Sequence, residues 1–350
     1  MTQPTLAQQG YAMPAEWEPH SATWLAWPHK LATWPGKFEP VPHVYAELIK
    51  ALSDGGEPVH VLVNNPDMRA FAMSILKEHK ADASTVRFFE IPTNDVWMRD
   101  HGPIFVRREA PAPRLLAIDW GYNSWGGKYP PFDLDDVTPQ RIGEALKLPV
   151  IEGHMILEGG SIDVNGEGVL LTTEACLLNP NRNPHLSKDQ IEQRLRDFLG
   201  VLKILWLGDG IVGDDTDGHV DDLTRFVSAN TIVTVVESDS SDVNYEALRE
   251  NRERLNEMTN LDGKHFEIID LPMPNPIEFD GNRLPASYAN FYIGNGTVVV
   301  PTYDSGRKDS QAVGILQDLF PSRRVVGIRS TDLVWGLGSF HCITQQQPVG

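Results

Sequence analysis

The chain reads as an α/β protein made of repeated ββαβ units closed into a ring around a central axis. Three observations predict this: a recurring strand, strand, helix, strand order, a near-constant spacing between its copies, and chain ends that complement one another.

Alternation and β-branched runs mark the strands, and a 3.6-residue period marks the helices. The clearest copy begins with SIDVNGEGVLLTT, Ser161 to Thr173, two strands about an Asn-Gly turn. It continues through the helix KDQIEQRLRDFLG to the strand VLKILWL. A second copy follows as DLTRFVSANTIVTVVE, the charged helix NYEALRENRERLNEM and the strand HFEIIDLP. The third is NFYIGNGTVVVPTY, KDSQAVGILQDLF and RRVVGIR. The second strands begin near Val169, Ile232 and Thr297, 63 and then 65 residues apart.

Upstream, GPIFVRREAPAPRLLAIDW reads as another hairpin with a longer Pro-rich turn, and Tyr122 to Leu134 after it is loop-like. Near the N-terminus only the helix VYAELIKALSDGG and the strand PVHVLVN are visible. A period of about 64 residues in 350 gives roughly five units. Five units without a capping repeat favour a closed ring, with FHCITQQQP completing the first unit beside SATWLAWP. An ordinary α/β sandwich, in which hairpins and helices merely alternate, is the other reading. No linker interrupts the pattern, so residues 1–350 are expected to form one catalytic domain, with 1–13 as a flexible tail.

Composition narrows the function. An apolar content of 41% is ample for a large core, and no stretch approaches the roughly 20 apolar residues of a membrane span. The start MTQPTLAQQG has neither the basic nor the apolar region of a signal peptide, so the cytoplasm is the expected address. Two cysteines, Cys176 and Cys342, cannot form a disulfide framework, which leaves at least one thiol free. A net charge of −18 argues against nucleic-acid or anionic-membrane partners. It suits a small cation, although acidity for solubility alone is common.

The chemically active side chains share one phase of the repeat. Asp100 precedes GPIFV, Glu158 precedes GGSIDV, His219 and Asp221 precede LTRFV, Asn290 precedes FYIG, and Cys342 lies in FHCIT. The intervals are 58, 61, 71 and 52 residues. Units related by rotation would bring these positions together at one end of the axis. Each residue alone has an ordinary explanation: Cys342, like Cys176, as a small buried hydrophobe, His219 as a loop histidine, Asp100 as a helix cap or partner of Arg99, Glu158 as a turn residue. Their common phase is what points to a site.

Competing motifs fail on spacing. With Gly218 at the turn position of a calcium loop, the first and last ligands would be Gly213 and Thr224, neither a carboxylate. GYNSWGGKY places Tyr129 after Lys128 where a phosphate loop needs Ser or Thr. No His or Cys stands at a zinc-like offset from His219 and Asp221, so no metal is expected.

A thiolate beside an imidazole suits covalent catalysis, with Glu158 as the group that orients the base. Asp100 and Asp221 would repel an oxyanion but match the fixed donor fork of a planar guanidinium. Trp97 and Trp120 could wall such a cation, or serve simply as core.

WEPHSATWLAWP, NDVWMRDHGP, LEGGSIDV, GDDTDGHVDDLTRFV and FHCITQQQP resemble the signature segments of the agmatine deiminase branch of the bacterial peptidylarginine-deiminase-like family. The resemblance implies the five-bladed α/β propeller of the pentein superfamily. It further implies Cys342 as nucleophile, His219 as acid/base, Asp100 and Asp221 as guanidinium ligands and Glu158 as their companion, with a weaker counterpart for Asn290. Agmatine would become N-carbamoylputrescine and ammonia through an amidino-thioether, without metal or organic cofactor, in polyamine biosynthesis or agmatine catabolism. A homo-oligomer is the family habit.

A deiminase of free or peptidyl arginine would need an arginine for the substrate carboxylate, with Arg99, Arg225 and Arg307 as candidates. The acidic DDTDGHVDD segment instead suits a second cation. A non-catalytic polyamine-binding protein is the alternative from another class.

Overall fold

The computed structural model describes residues 4–350. Among these residues, five sheets of related construction follow one another along the chain, with one small hairpin, Glu278–Phe279 and Asn282–Arg283, between the fourth and fifth. In the third sheet, Ile162–Val164 runs antiparallel to Val169–Thr173, and Lys203–Leu207 lies parallel on its other side after the helix Lys188–Leu199. The same plan holds for Thr224–Phe226, Thr231–Val236 and Glu267–Pro272, and again for Tyr292–Ile293, Thr297–Thr302 and Arg324–Arg329.

Local chemistry explains these elements. Ser187 and Gln190 form a capping box at the start of Lys188–Leu199. Gly200 ends the helix at φ 67°, a conformation that costs glycine little. Ile191, Leu195 and Leu199 recur every fourth residue and form its buried stripe. All five residues of Val169–Thr173 are buried, as a strand covered on both faces requires.

The chain ends meet as expected. Gln345–Pro348 pairs antiparallel with His20–Ala26, whose other neighbour is the parallel strand Val59–Val63. Only the last part of FHCITQQQP is strand, so Cys342 sits in the turn before it. Strands of the first and second sheets and of the third and fourth are in contact, residues of the second and third and of the fourth and fifth share apolar clusters, and the helix Val41–Asp54 packs against Thr297–Thr302 and Arg324–Arg329 of the fifth sheet.

Three segments differ from the sequence reading. The first unit carries an additional helix, Pro66–Glu78, and an outer strand, Val86–Glu90. The second unit is complete: beyond Leu134 lie the helix Thr138–Leu146 and the strand Val150–Ile156, and the irregular stretch before them holds the helical turns Ser124–Gly127 and Asp133–Asp136. The expected tail packs on the body from residue 4 on, residues 1–3 lying outside the described part. Leu6, Tyr11 and Met13 are buried in a cluster with Val106 and Leu199, and Ala12 exchanges two backbone hydrogen bonds with Arg107. Apolar side chains spaced through a polar segment gave the sequence no periodicity to read.

No helix among the described residues is long and apolar enough to cross a membrane.

Candidate active site

The phase relation of the sequence places its residues on short turns that lead into the first strand of each sheet. Asp100 lies in the one-turn helix Met98–His101, and Glu158 precedes the 3-10 turn Gly159–Ser161. His219 precedes the 3-10 turn Val220–Asp222, which carries Asp221. Asn290 precedes Tyr292–Ile293, and Cys342 precedes Gln345–Pro348. All six side chains are buried.

Gly160 fixes how closely they approach. A Cβ built there would stand 2.5 Å from Nδ1 of His219, 2.8 Å from Oδ1 of Asp100 and 3.1 Å from Oδ2 of Asp221. Only glycine lets the backbone run between these groups, and its own N–H donates to Oδ1 of Asp100 at 3.1 Å. His219 Nδ1 is 3.7 Å from Asp100 Oδ1, and Cys342 Sγ is 3.8 Å from Asp221 Oδ2. Asn290 Nδ2 donates to Cys342 Sγ at 3.0 Å and to Asp222 Oδ1 at the same distance. The His219 backbone is held in turn, its N–H donating to Asp214 Oδ2 at 3.0 Å and Thr216 Oγ1 at 3.2 Å.

Several polar atoms in this cluster are buried without a hydrogen-bond partner: both ring nitrogens of His219, Oδ1 of Asp221 and Oε2 of Glu158. A buried polar atom left unpaired costs about 1–3 kcal/mol, so such a concentration marks a place built for a ligand.

The electrostatics follow from burial and like charge. Burial, reinforced by Asp221, Asp222 and Asp100, pushes the Cys342 thiol well above its ordinary value. Burial also pushes Asp100 up to about 7, helped by Asp221 and Glu158 and opposed by His219. Burial works against a charged His219, but Asp100, Cys176 and Asp221 outweigh it and hold the imidazole well above the usual histidine range. Asp221 stays below the ordinary carboxylate range despite burial, because His341 Nδ1 donates to its Oδ2 at 2.6 Å.

Asp100 and Cys342 form the floor of a cavity of about 430 Å³. Trp97, Trp125, Tyr129, Phe279 and Trp335 wall it, and Asp95 and Asp215 add acidic groups along its length. That size accommodates a small organic ligand.

Of the predicted aromatic walls, Trp97 lines the cavity and Trp120 does not. Trp120 lies in the strand Leu115–Gly121 with its side chain packed in the core, its ring 5.4 Å from that of Phe198. The wall belongs instead to Trp125, whose Nε1 donates to Asp100 Oδ2 at 3.0 Å. Glu158 lies close to His219 but does not hydrogen-bond to it. Its Oε1 accepts from Arg182 Nε at 2.6 Å.

The three arginines considered for a substrate carboxylate lie outside the cavity lining. Arg99 and Arg225 are buried, and both reach Glu16 Oε2, at 3.4 and 2.9 Å. Arg307 begins the helix Arg307–Leu319. The arginine that does line the cavity is Arg283, engaged with Asp242 at 2.8 Å.

Sequence reasoning missed His341 and Glu16. His341 bridges Asp221 to Glu16, the second bond being 2.8 Å from Nε2 to Oε2. Its signal was available as the residue adjoining Cys342. Cys176 is buried in the core as expected, with its sulfur beside His219 and Glu158.

A buried thiol, an imidazole and several carboxylates thus lie together beside an aromatic-walled cavity. Comparison with known proteins is specific. The model of the Porphyromonas-type peptidyl-arginine deiminase family matches residues 12–348. The agmatine deiminase of Medicago truncatula is 40% identical, over 97% of this chain and 96% of its own. Among solved structures, the agmatine deiminase of Enterococcus faecalis superposes with a TM-score of 0.92 at 34% identity, covering 99% of this chain and 98% of the other. That of C. jejuni gives 0.85 at 32%, covering 97% of each. The chain belongs to the Porphyromonas-type peptidyl-arginine deiminase family, within the pentein superfamily of α/β folds.

Proposed function

We propose that the chain hydrolyses agmatine to N-carbamoylputrescine and ammonia through a covalent intermediate on Cys342. The observation that carries this reading is the set of orphaned acceptors, Asp221 Oδ1 and Glu158 Oε2, beside His219 and Cys342. A guanidinium brings N–H donors in a plane and a positive charge, which is what these carboxylates lack. The relatives named as agmatine deiminases supply the substrate class. Acidic Asp95 and Asp215 in the cavity wall suit the distal amine.

In the proposed sequence Cys342 gives its proton to solvent as the guanidinium binds, its thiolate attacks the guanidinium carbon, and His219 donates a proton as the C–N bond breaks and ammonia leaves. The product on the enzyme is an amidino-thioether. His219, now neutral, takes a proton from water as its oxygen adds to the same carbon. The C–S bond then breaks as the added hydroxyl gives its proton to the departing Cys342 sulfur, which restores the thiol and frees the ureido product. Asp100 and Asp221 hold the guanidinium, Asn290 steadies the sulfur, and Trp97 covers one side. The five sheets are proposed to stand as blades of one propeller, forming a single catalytic domain in the cytoplasm.

Ammonia release from agmatine is the test: full in the parent and absent in Cys342→Ala. A parent protein that binds agmatine without releasing ammonia would be a binding protein instead. Arg283 in the cavity lining favours one further comparison. Faster turnover of free or peptidyl arginine than of agmatine would reassign the substrate.

A further inference from the structure

Cys176 lies in the helical turn Glu174–Leu177, and the proposed reaction does not use it. Its sulfur, one carboxylate oxygen of Glu158 and one ring nitrogen of His219 lie within 4.8 Å of one another, all three residues buried. Glu158 Oε2 and both His219 nitrogens have no hydrogen-bond partner. Sulfur, imidazole and carboxylate together are the donor set of a tetrahedral zinc site, whose ligands stand about 2.0–2.3 Å from the ion. Arg182 holds Glu158 by Oε1 and leaves Oε2 free, an outer contact of the kind that fixes a ligand's orientation.

From this geometry we propose that Cys176, His219 and Glu158 form an inhibitory site for a thiophilic divalent cation such as Zn2+. This rests on the reading of His219 as the acid/base of the reaction. On binding, the Cys176 thiol and the His219 imidazolium each give a proton to solvent, so that the metal takes a thiolate and a neutral imidazole. The metal thereby removes the proton shuttle without touching the nucleophile. A second trio, Asp221, Asp222 and Cys342, is equally compact but already engaged. His341 occupies Asp221 Oδ2, and Asn290 occupies both Asp222 Oδ1 and Cys342 Sγ. The unpartnered atoms favour the first.

Titration with Co2+, read by its thiolate charge-transfer absorption, tests the site independently of turnover. The parent and Cys342→Ala should each bind one equivalent with that absorption. Cys176→Ser should lose the band and weaken binding at least about tenfold, and Glu158→Gln should weaken binding while keeping the band. Circular dichroism verifies that each variant is folded. Agmatine added to Cys342→Ala should displace Co2+. A band that survives Cys176→Ser and vanishes in Cys342→Ala, or no band in the parent, overturns the proposal. Failure of the deiminase reading would be seen separately, as no ammonia from the metal-free parent.

Discussion

Replacing Trp125 by phenylalanine removes one hydrogen bond and keeps an aromatic ring against Tyr122 and Tyr129. The lost bond is the 3.0 Å contact from the indole N–H to Asp100 Oδ2, which favours the charged carboxylate. Buried hydrogen bonds to charged groups contribute about 1.5–3 kcal/mol, and the lower figure corresponds to about one pKa unit. Asp100, at about 7 in the parent, should therefore titrate about one unit higher in the variant. A raised carboxyl pKa means that the charged form is lost at higher pH. If the ionised form binds the guanidinium, the productive fraction at pH 7 falls from about a half to about a tenth, a loss of roughly fivefold in kcat/KM. The loss should approach tenfold near pH 6 and vanish by about pH 9. The assay is ammonia release at low agmatine concentration across this range, taken as a ratio of variant to parent so that other ionisations cancel. A ratio independent of pH would refute a role for charged Asp100, and a ratio near one throughout would refute the contact itself.

Gly160→Ala places a methyl 2.5 Å from His219 Nδ1, so kcat/KM should fall by at least about 100-fold, with a stability loss of about 1–3 kcal/mol in urea unfolding. His341→Gln unties Asp221 from Glu16 within a fully buried network. It should cost about 3–5 kcal/mol of stability, and turnover should fall with it, as read by denaturant midpoints beside steady-state rates. Trp120→Phe should leave KM for agmatine within about twofold of the parent. Its effect on thermal unfolding should stay near 1 kcal/mol, because the lost ring area is offset by removing an indole N–H that is buried without a partner.

The repeat was legible because strand and helix periods are local properties, and Val169–Thr173 or Lys188–Leu199 carry them in full. Its phase then brought together the Cys342 thiol, the His219 imidazole and the carboxylates, since equivalent turns lead into equivalent strands. Trp125 could not be found this way. It lies in a stretch where Ser124 and Trp125 both adopt φ 53°, with Asn123 accepting from the Gly126 N–H, a geometry outside any periodic template. Trp120 was misplaced for the opposite reason. It belongs to a regular strand, and regularity alone does not tell which face of the strand meets the cavity and which meets a neighbouring helix. Glu16 was illegible because it begins no first strand and comes from the segment before the first sheet.

The acidic character of the site does two things at once. Burial and the charges of Asp221, Asp222 and Asp100 keep the Cys342 thiol protonated in the absence of ligand, so the most reactive group of the molecule is quiescent when the cavity is empty. The same carboxylates are what a guanidinium would bind. A cation entering between them adds positive charge beside the sulfur and reverses the sign of its surroundings, which lowers the cost of forming the thiolate when its target carbon is present. Oxidation and alkylation of Cys342 would then be disfavoured by the arrangement that favours attack on substrate. An anionic ligand gains nothing from this exchange, because it would raise the thiol further. The net charge of −18, which by itself argues only against polyanionic partners, thus has a local counterpart in the carboxylates that would select for a cation.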